Sequence, residues 1–222
     1  CGARLTYNCM RVGGVKWDAP EGWIGRVKEF VRDMREKLRE YDDLASGNEI
    51  FLSRIKGVGA YDARTAIDYG LSGANLRSTG VKWDLRKNEP YSLYSRFEFD
   101  VPVGKNGDCY DRYLIRMEEM RQSLRILEQA LEQFPEGGET MGKVPRVIRP
   151  PVGEIYVRIE SPRGEIGCYI VSKGKAEPFR LKFRRPSFVN LQILPKLLVG
   201  ESMTNLVTIL GGIDIVLGEV DC

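Results

Sequence analysis

The chain has 222 residues, 34 Lys and Arg against 31 Asp and Glu, and no His. That length can bury a substantial core, and 42% hydrophobic with 29% charged residues excludes a disordered chain. A net charge of +3 is too small to argue for nucleic acid, and the absence of His removes the commonest metal ligand and proton shuttle.

The first residues, Cys1-Gly2-Ala3-Arg4, fit neither a start nor a signal peptide, and predict a chain that opens in mid-helix, a fragment or a split subunit. Asp18, with Pro20 in the first turn and Glu21 three positions on, predicts the start of a helix. Trp23, Val27, Phe30, Met34, Leu38 and Tyr41 recur along it every three or four residues. Asn48 to Ile55 and Asp62 to Tyr69 read as short helices, the second ending at Gly70. Gly57 to Gly80 is too rich in glycine for one regular element. Gly-Val-Lys-Trp-Asp occurs at 14–18 and again at 80–84 with dissimilar flanks, which reads as two tight turns, each packing a Trp.

Asp108 to Phe134 predicts the longest helix. Tyr110, Tyr113, Met117, Met120, Leu124, Leu127, Leu131 and Phe134 form one apolar stripe, flanked by opposite charges three or four apart. Pro135 and Gly137-Gly138 stop it. Two tyrosines and two methionines in the stripe suit a helical bundle better than a coiled coil.

From 143 to 153 a Pro- and Arg-bearing linker changes the periodicity to two. Ile155, Val157 and Ile159, then Ile166, Cys168 and Ile170, then Phe179, Leu181 and Phe183 predict a three-stranded antiparallel meander, with a turn at Ser161-Pro162-Arg163-Gly164. Its basic run, Lys173, Lys175, Arg180, Lys182, Arg184 and Arg185, fits a solvated strand face or an anionic partner surface. Helical character returns at Phe188 and again at Ser202, which can cap Met203 to Leu210. The apolar run around Phe188 to Leu198 is cut by Asn190, Gln192, Pro195 and Lys196, so no membrane span is expected. Gly211-Gly212 then release a short apolar strand carrying Asp214, Glu219 and Asp221. The expected class is α+β, a mainly helical bundle core with a small antiparallel sheet. Within one domain, 1–142 is mainly helical, 143–187 the sheet, and 188–222 helices and a C-terminal tail.

Five cysteines, at 1, 9, 109, 168 and 222, form no C-x-x-C. That fits a reducing compartment and neither a zinc site nor a self-contained iron-sulfur cluster. Cys109 and Cys168 read as packed small hydrophobes.

Several segments, in order, carry a resemblance. They are Arg11-Val12-Gly13-Gly14, Pro20-Glu21-Gly22-Trp23, Leu71-Ser72-Gly73, and Gly80-Val81-Lys82-Trp83-Asp84-Leu85-Arg86. They continue with Gly107-Asp108, Asp111-Arg112-Tyr113, Arg116-Met117-Glu118-Glu119, Ser161-Pro162-Arg163-Gly164-Glu165 and Phe183-Arg184-Arg185-Pro186-Ser187-Phe188, and end at Ile213 to Cys222. Over essentially its whole length the chain resembles the C-terminal part of the 49-kDa (D) subunit of respiratory complex I, itself related to the large subunit of nickel-iron hydrogenases. In the hydrogenases the tail reads Asp-Pro-Cys-x-x-Cys and its cysteines hold metal. Here Val216 and Glu219 stand at those positions.

The resemblance implies a hydrogenase large subunit-like fold and a subunit that binds no cofactor or metal of its own. It implies packing against an iron-sulfur small subunit (B or 20-kDa type), with quinone entering between the two. It also implies a C or 30-kDa type subunit and a membrane-arm subunit as neighbours, iron-sulfur clusters and the NADH site on partner subunits, and a peripheral place on the cytoplasmic or matrix side of the membrane. The quinone-contacting His and Tyr of the family lie upstream of Cys1. Family members commonly end in Arg where Cys222 stands, and a thiol cannot replace a guanidinium that anchors the tail to carboxylates. Nickel and iron need soft ligands, which Val216 and one carboxylate do not supply.

The expected quinone-cavity wall is Asp214 and Glu219, with a buried salt bridge or backbone cap as the competing role for each. Asp111, Arg112, Arg116, Glu118 and Glu119 on the long helix read either as a buried proton relay or as a structural charge network. Arg86, Arg163 and Glu165, at or beside tight turns, are expected at a partner contact or as structural bridges. The alternatives are a hydrogenase-related catalytic subunit and a non-catalytic scaffold.

Overall fold

The computed structural model describes residues 7–135 and 137–221. The expected opening in mid-helix at Cys1–Arg4, and the terminal Cys222, lie outside them. Two short strands, β1 (Met10–Arg11) and β2 (Gly14–Val15), pair as a hairpin. Trp17 beyond it is half exposed, whereas Trp83 packs on a core. The Gly-Val-Lys-Trp-Asp echo is therefore no structural repeat, and only its second copy packs its Trp.

Helix α1 (Trp23–Tyr41) starts five residues later than Asp18 predicts, because Gly22 sits in the left-handed region at φ +73°. Asp18 accepts instead from the N–H of Ala19. Val31 and Leu38 are buried, with Trp23, Ile24, Val27 and Met34 partly buried around them. Phe30 and Tyr41 are exposed. Phe30 and Val31 both satisfy a three-or-four spacing from Val27, and packing selects Val31. A wide turn, Asp42–Ser46, leads on from α1.

Helices α2 (Glu49–Ile55) and α3 (Ala63–Asp68) lie where their caps place them. The Asn48 side chain accepts from Ile50 and Phe51, and that of Asp62 from Thr65. Two single turns follow, α4 (Ala74–Arg77) and α5 (Leu85–Asn88), the latter capped by Asp84. Helix α6 (Cys109–Glu132), capped by Asp108, is the longest element. Met117, Leu124 and Leu131 pack on the buried face of α1. Leu127 and Phe134 lie at the margin of the stripe and are partly exposed.

Strands β3 (Gly153–Ser161), β4 (Gly164–Ser172) and β5 (Arg180–Arg184) form the expected meander, in register Val157↔Cys168↔Phe183. After it come α7 (Pro186–Leu191), α8 (Leu194–Leu198), α9 (Met203–Ile213) and α10 (Leu217–Val220). Ile193, Leu197, Ile209 and Ile213 meet Tyr61, Ala66, Leu71 and Leu76 in a second core. The fold is α+β and mainly helical, as expected.

Two features of the tail correct the sequence reading. Helix α9 runs through Gly211-Gly212 to Ile213 instead of ending at them. A Cβ on Gly212 would stand 2.6 Å from Cys109 Sγ, so this glycine lets α9 approach α6 closely. The tail itself is a helical turn, not a strand. Asp214, left-handed at φ +59°, reverses the chain, and Val220 N–H then bonds Val216 O at 3.1 Å.

Candidate functional site

The end of α9, the middle of α6 and the β3–β4 turn converge at one corner of the molecule. The turn is fixed by backbone contact. A Cβ on Gly73 would lie 2.7 to 2.8 Å from the main chain of Arg163 and Gly164, so the Leu71-Ser72-Gly73 loop and the Arg163-Gly164 turn touch only because both carry glycine there. Ser72 Oγ accepts from Glu165 N–H at 3.0 Å, and Asn190 donates to Arg163 O at 2.9 Å while accepting from Ser72 N–H.

The end of α9 is held by side chains bonded to its last carbonyls, which carry the negative end of the helix dipole. Asn75 donates to Ile213 O at 3.0 Å. Arg116 donates to Gly212 O at 3.0 Å and Ile213 O at 3.2 Å. Asp214 then stands between two guanidinium groups, 3.4 Å from Arg116 Nε and 3.7 Å from Arg163 Nη2. Burial weakens the hold of Arg116 on its proton, and Asp214 opposes that effect.

Beside this triad lies a buried charge cluster centred on Arg77, of which only 2% is exposed. Arg77 donates to Glu160 at 2.8 Å, to Trp83 O at 2.9 Å and to Glu119, with Asp84 3.8 Å away. Arg86 binds Asp84 through two bonds, at 2.6 and 3.0 Å. Three carboxylates thus share two guanidinium groups. Burial lifts the Glu160 carboxyl above the usual range, against the pull of Arg77. Burial acts on Asp84 in the same sense, but its bonds with Arg86 outweigh it and hold Asp84 below that range.

A cavity of about 500 Å³ opens between the triad and the cluster, lined by Arg77, Arg86, Arg116, Glu119, Glu160, Arg163 and Asp214 together with Tyr94, Met120 and Pro162. A second, of about 420 Å³, is lined by Phe51, Ile55, Tyr113 and Val207 together with Arg54, Cys109, Arg116 and Asp214. The Arg116–Asp214 pair therefore belongs to both walls, with a densely charged chamber on one side and one with fewer charges on the other. The Nε atoms of Arg77, Arg116 and Arg163 are buried without a hydrogen-bond partner.

Of the residues singled out from the sequence, Asp214, Arg116, Glu119, Arg86 and Arg163 meet at this corner. Glu219 does not: its carboxylate accepts from Ser187 Oγ, which also accepts from Val216 N–H at 3.2 Å. That pair clamps the tail to α7. Asp111 accepts from the N–H groups of Lys105 and Asn106, at 2.7 and 2.5 Å, and Arg112, fully buried, donates to Gly107 O and Gly59 O. Glu118 faces Arg121 and Gln122, and Glu165 faces Arg158 and Arg184.

Arg77, Asp84 and Glu160 belong to this corner as well, and the sequence reading does not reach them. Asp84 carries a signal in its capping position before Leu85-Arg86. Glu160 sits at a polar position of an alternating strand, which reads as solvent-facing until the strand is placed on α5.

The donor set does not fit a metal. Cys9, Cys109 and Cys168 are free, and among the described residues no three His, Cys, Asp or Glu side chains are grouped to hold an ion. Val216 and Glu219 offer one hard oxygen donor, engaged by Ser187, where two thiolates would be required.

Fold and corner together define a mainly helical α+β chain with a buried charged corner, and its tail carries an aliphatic side chain and a carboxylate at Val216 and Glu219. It belongs to the family described as respiratory-chain NADH dehydrogenase, 49 Kd subunit, which it matches over residues 1–151 and 141–222. It is 72% identical over 221 residues to the D subunit of the NADH-quinone oxidoreductase of Bacillus mycoides (strain KBAB4), 71% to that of Bacillus anthracis, and 70% to that of Bacillus cytotoxicus. Each match takes in 100% of this chain and 60% of the relative, so the chain spans about three-fifths of the length of these relatives. Among the described residues no helix is long and apolar enough to cross a membrane.

Proposed function

We propose that this chain supplies part of the wall of a quinone-reduction cavity in a proton-translocating NADH:quinone oxidoreductase, and is inactive alone. The observation that supports the reading best is the Arg116–Asp214–Arg163 triad, a carboxylate set between a densely charged chamber and one with fewer charges. Such a boundary suits a molecule with a polar headgroup and an apolar tail. Guanidinium N–H groups would donate to quinone oxygens as these gain electron density. In this reading, as membership of the family implies, the electrons come from an iron-sulfur cluster on the small subunit. The C-type and membrane-arm subunits complete the surroundings, on the cytoplasmic or matrix face of the membrane. In this reading Asp214 belongs to the cavity wall, and Glu219 supports it through the Ser187 clamp.

Replacement of Arg163 by Gln in the assembled complex tests the proposal, because it removes one partner of Asp214 and leaves the Arg116 bonds to α9 in place. Quinone reduction is expected to fall by about tenfold, the equivalent of about 1.4 kcal/mol, while the upstream clusters still become reduced. A normal rate of quinone reduction would favour a scaffold role instead.

A further inference from the structure

The three-stranded sheet is inverted over part of its area. Part of its charged face points into the molecule, where Glu160 meets Arg77, Arg158 meets Glu89 and Arg184 donates to Gly70 O, while Glu154, Arg180 and Lys182 on the same face are exposed. Its other face is apolar in its three central rows, Ile155↔Ile170↔Leu181, Val157↔Cys168↔Phe183 and Ile159↔Ile166. On that face Ile155, Val157, Ile159, Leu181 and Phe183 are each 42 to 58% exposed. Antiparallel sheets with one wet face ordinarily place their apolar side on the core. Five large side chains in adjoining rows form a continuous patch of several hundred Å², the size at which an exposed patch marks a contact surface.

We propose that this face is an internal interface, covered by the part of the subunit's own polypeptide that lies outside these 222 residues. The relatives have the material: 60% of their length is matched here, which leaves 40% unaccounted for. The three rows also contain no charged residue. That composition resembles a domain core cut in half more than the mixed surface of a transient partner site. A second layer packed at the usual distance of about 10 Å would convert the sheet into a buried one.

The test is site-specific photo-crosslinking in the assembled complex. A photoreactive amino acid replaces Val157 in the family-length subunit, and the same probe at Lys182, on the opposite face, gives the background. The expected product is a crosslink within the same chain, from position 157 to a peptide outside these 222 residues, absent from the Lys182 probe. A crosslink to another subunit, to a second copy of this subunit or to a peptide within the 222 residues would overturn the proposal. So would the loss of any product above background.

Discussion

Helix α6 is one continuous rod with two different surroundings. Its second half is ordinary: Leu124 and Leu131 pack on Val31 and Leu38 of α1, and charged side chains stay outside. In its first half Arg112 is fully buried against carbonyl groups, Arg116 holds the end of α9, and Glu119 reaches into the Arg77 cluster. The apolar spacing is the same along both halves. The periodicity thus marks the side of the helix that packs, but not where its charges are taken inside. A helix that buries Asp111 and Arg112 and partly buries Arg116 and Glu119 carries the cost of their desolvation, and such a cost is characteristic of a site.

The contrast can be broken most severely at Arg77. Arg77→Leu leaves Glu119 and Glu160 without the cation they share, while Asp84 keeps Arg86, and unpaired buried charges typically cost about 3 to 5 kcal/mol. The expected outcome is loss of the folded subunit from the assembled complex, read by blue-native electrophoresis. Rescue by a simultaneous Glu160→Gln change would show that the cost is electrostatic.

In the plain half, Leu124→Ala should destabilise by about 2 to 5 kcal/mol, as deletion of a buried leucine does. Leu127→Ala, at the margin of the same stripe, should cost less than about 1 kcal/mol. Denaturant titration of the family-length subunit checks both, and equal losses would mean that the stripe is misplaced.

A finer probe is pH. The native state raises the affinity of Glu160 for its proton, so the folded chain binds more protons than the unfolded chain. Stability from this group is present at low pH and declines as pH rises from the unperturbed Glu value of about 4.3 towards the higher native one. Glu160→Gln lacks that decline. The difference in Tm between variant and parent should therefore shift in the variant's favour as pH rises through this window, and a difference independent of pH would remove Glu160 as a titrating group.

Much of the fold is legible in the sequence because it rests on local chemistry. Helices are expected from Asn48, Asp62 and Asp108, which the structure shows to be their caps, and the sheet is legible by its alternation. The start of α1 departs from its pattern because a left-handed Gly22 overrides a good capping arrangement at Asp18. The tail reads as a strand because its apolar residues allow either structure, and the choice falls to Asp214, whose left-handed conformation follows from the bonds that hold the end of α9. The site is legible where charges stand beside turns, as at Arg86 and Arg163. Arg77 and Glu160 are not, since nothing in their neighbourhoods distinguishes a buried charge from a solvated one; the partners lie 83 residues apart in sequence.

In the proposed reading two of the tail carboxylates have separate roles, Asp214 in the cavity wall and Glu219 in a structural clamp. The most direct test of that separation compares Asp214→Asn with Glu219→Gln in the same assembled complex, with steady-state quinone reduction measured while cluster reduction is followed in parallel. Asp214→Asn should lower quinone reduction at least about tenfold with normal cluster reduction, towards the range of about 10² to 10⁴ typical of a direct proton-transfer group. Glu219→Gln, which keeps an oxygen for Ser187, should change the rate well under about tenfold. A larger loss at Glu219 than at Asp214, or unchanged rates at Asp214, would contradict the assignment of this corner as the site.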